Sequence, residues 1–196
     1  MPSHIAPSEE AIDRVRALLP GRPDPIVLID GPSGAGKSTF ADELAAHWPG
    51  AGEPLLVRMD GMYPGWGGLE LAAAALAEEL LGPLRRGEPG TWREWDWARD
   101  EVAAVHTVTP GRPLIVEGCG TLGPAARFAD VAVWIDAEDD FRKARALARD
   151  GETYAVQWDG WQAAFERYVS RWDPRAHAHL LLRAEHERVV AAEGTD

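Results

Sequence analysis

The stretch Ile26-Val-Leu-Ile-Asp-Gly-Pro-Ser-Gly-Ala-Gly-Lys-Ser-Thr-Phe40 constrains the fold of this chain more than any other. Ile26 to Ile29 read as a buried strand, and Asp30 leads into Gly31-Pro-Ser-Gly-Ala-Gly36-Lys37-Ser38. A glycine, four residues and then Gly-Lys-Ser is the phosphate-loop (Walker A) pattern, which has meaning only between a strand and a helix. Both flanks are present, with residues 38–47 as the helix. Glycines at 31, 34 and 36 permit backbone angles that a side chain forbids, so successive N–H groups can turn inward. The following helix aims its positive end at the same point. The expected phosphate-binding set is Gly31, Ser33, Gly34, Ala35, Gly36, Lys37, Ser38 and Thr39. Lys37 would reach the β- and γ-phosphates of ATP, and the Ser38 hydroxyl would hold Mg2+. The competing reading is a plain glycine-rich turn. Lysine occurs in this chain only at 37 and 143, which makes one at this position informative.

A length of 196 residues suits a single domain, 1–196, and 45% hydrophobic residues suffice for a sizeable core. The net charge of −12 argues against non-specific nucleic-acid binding, which needs a basic face. Cys119 is the only cysteine, so no disulfide framework exists. No apolar run reaches membrane-spanning length and the N-terminus lacks a signal-peptide core, so the expectation is a cytoplasmic protein without membrane partners.

In chain order, residues 1–7 read as disordered and Ser8 as the cap of a helix through Leu19, an N-terminal unit over 1–22. Leu55–Met59 is a strand delivering Asp60, followed by the glycine-rich loop 61–68. A helix over 69–81 is stopped by Gly82-Pro83. Residues 84–111 form an acceptor-side segment in which Trp92, Trp95 and Trp97 crowd a connection. Strands at 113–117 and 131–135 end in Glu117 and Asp136. Residues 138–150 and 158–172 read as helices, 179–182 as the last strand and 185–192 as a terminal helix. Apolar strands alternating with helices imply a three-layer, doubly wound α/β fold with a parallel sheet of about five strands. Ligands in such sheets bind beyond the carboxyl ends of the strands, which puts Asp30, Asp60, Glu117 and Asp136 on one rim.

Phosphoryl transfer needs held phosphates, a metal, something to orient the nucleophile, and positive charge for the transition state. Asp60 is the candidate base on an acceptor hydroxyl, or else a turn cap. Glu117 has two readings, a magnesium ligand through water or the end of its strand. Arg142, Arg145 and Arg149 share a helix face and would form a small helical lid over 138–151, hinged at Asp150-Gly151; the bland alternative is a solvated basic face. Trp92, Trp95 and Trp97 either stack on a planar base or pack as core. Trp161, Phe165, Tyr168 and Trp172 read as packing.

These residues resemble a known family. Gly31-Pro-Ser-Gly-Ala-Gly-Lys-Ser-Thr, Met59-Asp60-Gly-Met-Tyr63, Ile115-Val-Glu-Gly118 and the Arg145–Asp150 segment look like the uridine kinase family of phosphate-loop kinases. The likeness is greatest to a uridine-kinase-like branch common in high-GC bacteria, and it spans about residues 24–184. It implies that Asp60 is the base and that Tyr63 belongs to the acceptor pocket. It also implies that Trp95-Asp96-Trp97 reach the acceptor and that Arg145 and Arg149 form the lid. The activity implied is ATP- and magnesium-dependent transfer of the γ-phosphate to a small molecule, a nucleoside such as uridine or cytidine, with homo-oligomers left open.

Two alternatives stand beside it. A regulatory ATPase or switch would bind nucleotide without an acceptor. A nucleoside monophosphate kinase would need arginines for the acceptor phosphate, and Arg85, Arg86, Arg93 and Arg99 are available.

Overall fold

The structure, a computed structural model, describes residues 6–7, 9–19, 21, 23–185 and 188–191. Ser8, the expected cap, and residues 1–5 and 192 lie outside the described residues. In chain order the elements are β1 (Ala6–Pro7), α1 (Glu9–Leu18), β2 (Ile26–Asp30), α2 (Lys37–Ala46) and β3 (Leu55–Arg58). After a 3₁₀ turn at Met59–Gly61 comes α3 (Leu69–Ala75), a π-helical stretch (Leu76–Leu81) and α4 (Gly82–Arg85). β4 (Gly90–Asp96), β5 (Glu101–Val108), β6 (Leu114–Glu117), β7 (Val131–Ala137), α5 (Asp139–Trp172), β8 (Leu180–Glu185) and β9 (Arg188–Ala191) complete the chain.

The main sheet has seven strands in the order β1-β9-β8-β7-β2-β6-β3. Five of them, β3, β6, β2, β7 and β8, run parallel to one another, as the apolar strand pattern predicts. β2 is central because it is apolar on both faces: all five of its residues are buried. Alternate side chains of a strand point to opposite faces. Val27 and Ile29 accordingly pack with Phe40, Leu44, Ala11 and Val15 under α1 and α2. Ile26 and Leu28 pack on the other face with Leu76, Leu80, Trp134 and Phe165, under the α3–α4 run and α5. Three layers result. From β2 the chain goes first to the β3 side and later to the β7 side, so the crevice at the end of β2 is where an open α/β sheet binds ligands.

Four expectations are corrected. Within the expected terminal helix over 185–192, Glu185 ends β8 and Arg188–Ala191 form β9, antiparallel to β8, and Ala6–Pro7, expected in a disordered stretch, pair with β9. Gly82-Pro83 does not stop the helix. Proline cannot donate a backbone N–H and crowds the preceding turn, and the helix widens to π geometry before it and closes with α4. The segment around Trp92–Trp97 is not an irregular connection. It is an antiparallel hairpin, β4 with β5, and Asp96 Oδ1 caps its turn by accepting from the N–H groups of Ala98 and Arg99 at 2.9 and 3.0 Å.

Candidate active site

The phosphate loop takes the form its glycines dictate. Gly31, Gly34 and Gly36 have φ of 145°, 82° and 94°, and α2 starts directly at Lys37. A Cβ on Gly34 would lie 2.0 Å from the Arg142 carbonyl oxygen, so α5 lies directly against the loop. Lys37 is buried and donates to Pro32 O at 2.9 Å. A cavity of about 510 Å³ opens here, lined by Gly34, Gly36, Lys37, Ser38 and Thr39 on one side and by Arg145 and Arg149 on the other. Gly31 and Ala35 do not line it: the first packs on Ile135 and the second is fully buried beside Phe40.

Four acids were expected on the rim, and they part company. Asp30 is fully buried and accepts from the N–H groups of Gly31, Gly120 and Leu122 and from Tyr168 Oη at 2.6 Å. Burial pushes its carboxyl up, with those hydrogen bonds opposing. It ties the phosphate loop to the loop after β6 and is a brace, not a rim acid. Asp136 pairs with Arg175 at 2.8 Å and does not line this cavity. Asp60 and Glu117 do face the cavity beside the phosphate loop, the candidate phosphate cavity. Glu117 is buried, 3.3 Å from Ser38 Oγ and 3.2 Å from an Arg58 nitrogen. Burial raises its pKa, and the Lys37 ammonium opposes the rise. A serine hydroxyl beside a buried carboxylate on the cavity wall is an oxygen-donor pair of the kind magnesium takes, so the residues fit the ion.

A second cavity, about 540 Å³, adjoins the first and shares Ser33, Ser38, Asp60 and Arg149 with it. Its remaining lining includes Arg58, Tyr63, Trp66, Trp97, Tyr154 and Trp161. Trp66 is the centre of an aromatic wall: it stacks on Tyr154 at 5.5 Å and meets Trp97 at 4.9 Å and Trp161 at 6.3 Å. The Trp97 indole N–H donates to the Asp60 carbonyl at 2.9 Å, which ties the hairpin to the acid. Tyr63 is buried and donates to Cys119 O at 2.8 Å. Among the described residues the exposed Asp60 carboxylate makes no hydrogen bond or ion pair.

Of the predicted acceptor residues, Asp60, Tyr63 and Trp97 line this cavity while Trp95 and Asp96 do not. Trp92 stacks on His106 at 4.2 Å. Of the lid arginines, Arg145 donates to Gly34 O at 2.6 Å and Arg149 lies between the two cavities. Arg142 bonds Asp139 and Gln162 instead. Sequence reasoning missed Arg58, Trp66, Tyr154 and Trp161 as cavity residues. Trp66 was legible as a large ring in a run of glycines; the others needed the fold. The arginines offered for an acceptor phosphate are spent elsewhere: Arg85 on Asp130, Arg86 on Glu88, Arg93 on Glu79, and Arg99 near Asp96. None of the four lines either of these cavities.

A parallel sheet with this loop at the end of its central strand, under an arginine-bearing helix, has the phosphate-loop kinase fold. Within that class, the architecture is similar to that of a possible uridine kinase from Bacillus stearothermophilus, at TM-score 0.62 and 18% identity, covering 88% of this chain and 97% of that one. It is also similar to a candidate fructose transport system kinase from Silicibacter sp. TM1040, at TM-score 0.51 and 21% identity, covering 91% and 96%. No protein-family model matches the chain, and no curated protein matches its sequence. At these identities the likeness carries the fold. Among the described residues no helix is long and apolar enough to cross a membrane.

Proposed function

We propose that the chain is an ATP-dependent phosphotransferase that moves the γ-phosphate to a hydroxyl of a small molecule, with a nucleoside such as uridine or cytidine as the acceptor the sequence resemblance favours. The observation that carries the reading is the junction of the two cavities at Asp60. A triphosphate in one and a hydroxyl in the other would meet at a carboxylate that makes no hydrogen bond or ion pair among the described residues. The loop N–H groups and Lys37 hold the phosphates, and Arg145 and Arg149 meet the charge that develops in the transition state. Magnesium held by Ser38 and Glu117 would neutralise phosphate charge. Asp60 takes the proton of the acceptor hydroxyl. The aromatic wall of Trp66, Trp97 and Trp161, whose rings stand at 55° and 85° to that of Trp66, offers an angled apolar surface to the rest of the acceptor. A phosphate-bearing acceptor is disfavoured, because of the two arginines in this cavity Arg58 is paired with Asp42 and Glu117, and Arg149 is the one assigned to the transferring phosphate.

The test is acceptor-stimulated ADP release across nucleosides, nucleoside monophosphates and small alcohols. Stimulation by a non-phosphorylated alcohol, lost in Trp66→Ala through a raised KM, is the expected result. Stimulation by monophosphates alone would contradict it.

A further inference from the structure

Arg149 and Asp150 are neighbours in sequence, and side chains one residue apart on a helix do not face each other. They nevertheless form a two-pronged pair, Nε to Oδ1 and a terminal nitrogen to Oδ2, both at 2.7 Å. The contact is made where the helix breaks: Gly151, next in the chain, has φ 71° and ψ −157°. A Cβ there would touch nothing within 4 Å, so the junction is not clamped by packing. The two partners also differ in what they reach. Arg149 lines both cavities, whereas Asp150 lines only the aromatic one. Arg145, one turn earlier, is bonded to the phosphate loop and lines only the phosphate cavity.

We propose that Asp150 is a positioning residue that couples the two sites: it holds Arg149 back until an acceptor donor group takes its carboxylate. Resting on the phosphotransferase reading above, the exchange runs as follows. With the aromatic cavity free, both Asp150 oxygens are occupied by the guanidinium. An acceptor hydroxyl or amine that donates to Asp150 replaces one or both of those bonds. Arg149 then swings its charge to the γ-phosphate next door, and transfer proceeds with the acceptor already in place. Water cannot trigger the exchange efficiently, because it offers no binding on the aromatic wall to offset the broken pair. The device therefore suppresses wasteful ATP hydrolysis. It also defines the acceptor: a hydrogen-bond donor on the face that meets Asp150, and no negative charge there.

The experiment measures hydrolysis of Mg-ATP with water as the only acceptor, and ATP binding by calorimetry. The proteins are wild type, Asp150→Asn, Asp150→Ser, Arg149→Ala and the Arg149→Ala/Asp150→Asn double variant, each checked by thermal melting. Loss of the carboxylate frees a charged donor, so both Asp150 variants should hydrolyse ATP about tenfold faster than wild type and bind it more tightly. The double variant should fall back to the Arg149→Ala rate, because the gain runs through Arg149. A residue with a merely structural role would not raise turnover above wild type. If folded Asp150 variants bind ATP as wild type does and hydrolyse it no faster, the coupling role is overturned while the phosphotransferase reading stands. If wild type binds no ATP, that reading falls and takes this one with it.

Discussion

Lys37 rests its ammonium on the Pro32 carbonyl inside the phosphate cavity, 3.6 Å from Cys119 Sγ. Lys37→Ala removes one charged donor, so triphosphate affinity by calorimetry should drop about 10- to 100-fold and transfer should be lost, with the fold retained. Glu117 makes a second prediction at this scale. Its pKa is raised from an ordinary 4.5 by burial, so the unfolded chain loses that proton first as pH rises. The folded state then binds more protons than the unfolded one, and stability is highest below the unfolded value and falls as pH climbs through the raised one. Glu117→Gln should flatten that part of the stability profile. In melts near neutral pH it should also abolish most of the extra stabilisation that magnesium adds to ATP. An unchanged magnesium increment would remove Glu117 from the metal site. Single residues were legible in the sequence where the pattern is local, as at Lys37 and Ser38, which line the cavity beside the phosphate loop. Asp30 was not, because a strand-end acid looks alike on the rim and in the core. Only the fold brings the Tyr168 hydroxyl to within 2.6 Å of it.

At the scale of elements, the part of α5 before Gly151 sits on the phosphate loop through Gly34 and Arg142, and Arg145 bonds the loop itself. Arg145 is half-buried, and burial with the nearby Arg149 lowers its pKa; an incoming anion would compensate that crowded positive charge. Arg145→Ala should therefore cut kcat by about a hundredfold while leaving the acceptor KM nearly unchanged. Wild-type turnover in this variant would make the helix a surface cover and not a lid. The helix and its break at 150–151 were legible from acids first, arginines last and a glycine after them. The hairpin was not, since tryptophans among polar residues do not alternate clearly, and its register is set by pairing with β5. β9 was hidden for the same reason: its partner β8, not its own short sequence, decides between strand and helix.

At the scale of the molecule, the parallel sheet and its three layers follow from apolar strands separated by helices, and the phosphate loop fixes which end of the sheet is used. The aromatic cavity follows from no local pattern, because Trp66, Trp97 and Trp161 come from a loop, a hairpin turn and a helix. The two cavities share one candidate base, Asp60. Asp60→Asn keeps the size of the side chain and cannot accept a proton. The most direct measurement is ATP binding by calorimetry beside acceptor-stimulated ADP release, for wild type and Asp60→Asn. A positioned general base contributes roughly 10²–10⁴-fold, so kcat should fall by about that factor while ATP affinity barely changes. If no acceptor stimulates the wild type, and Asp60→Asn alters only the preference for ATP over ADP, the chain is a nucleotide switch and the account is contradicted.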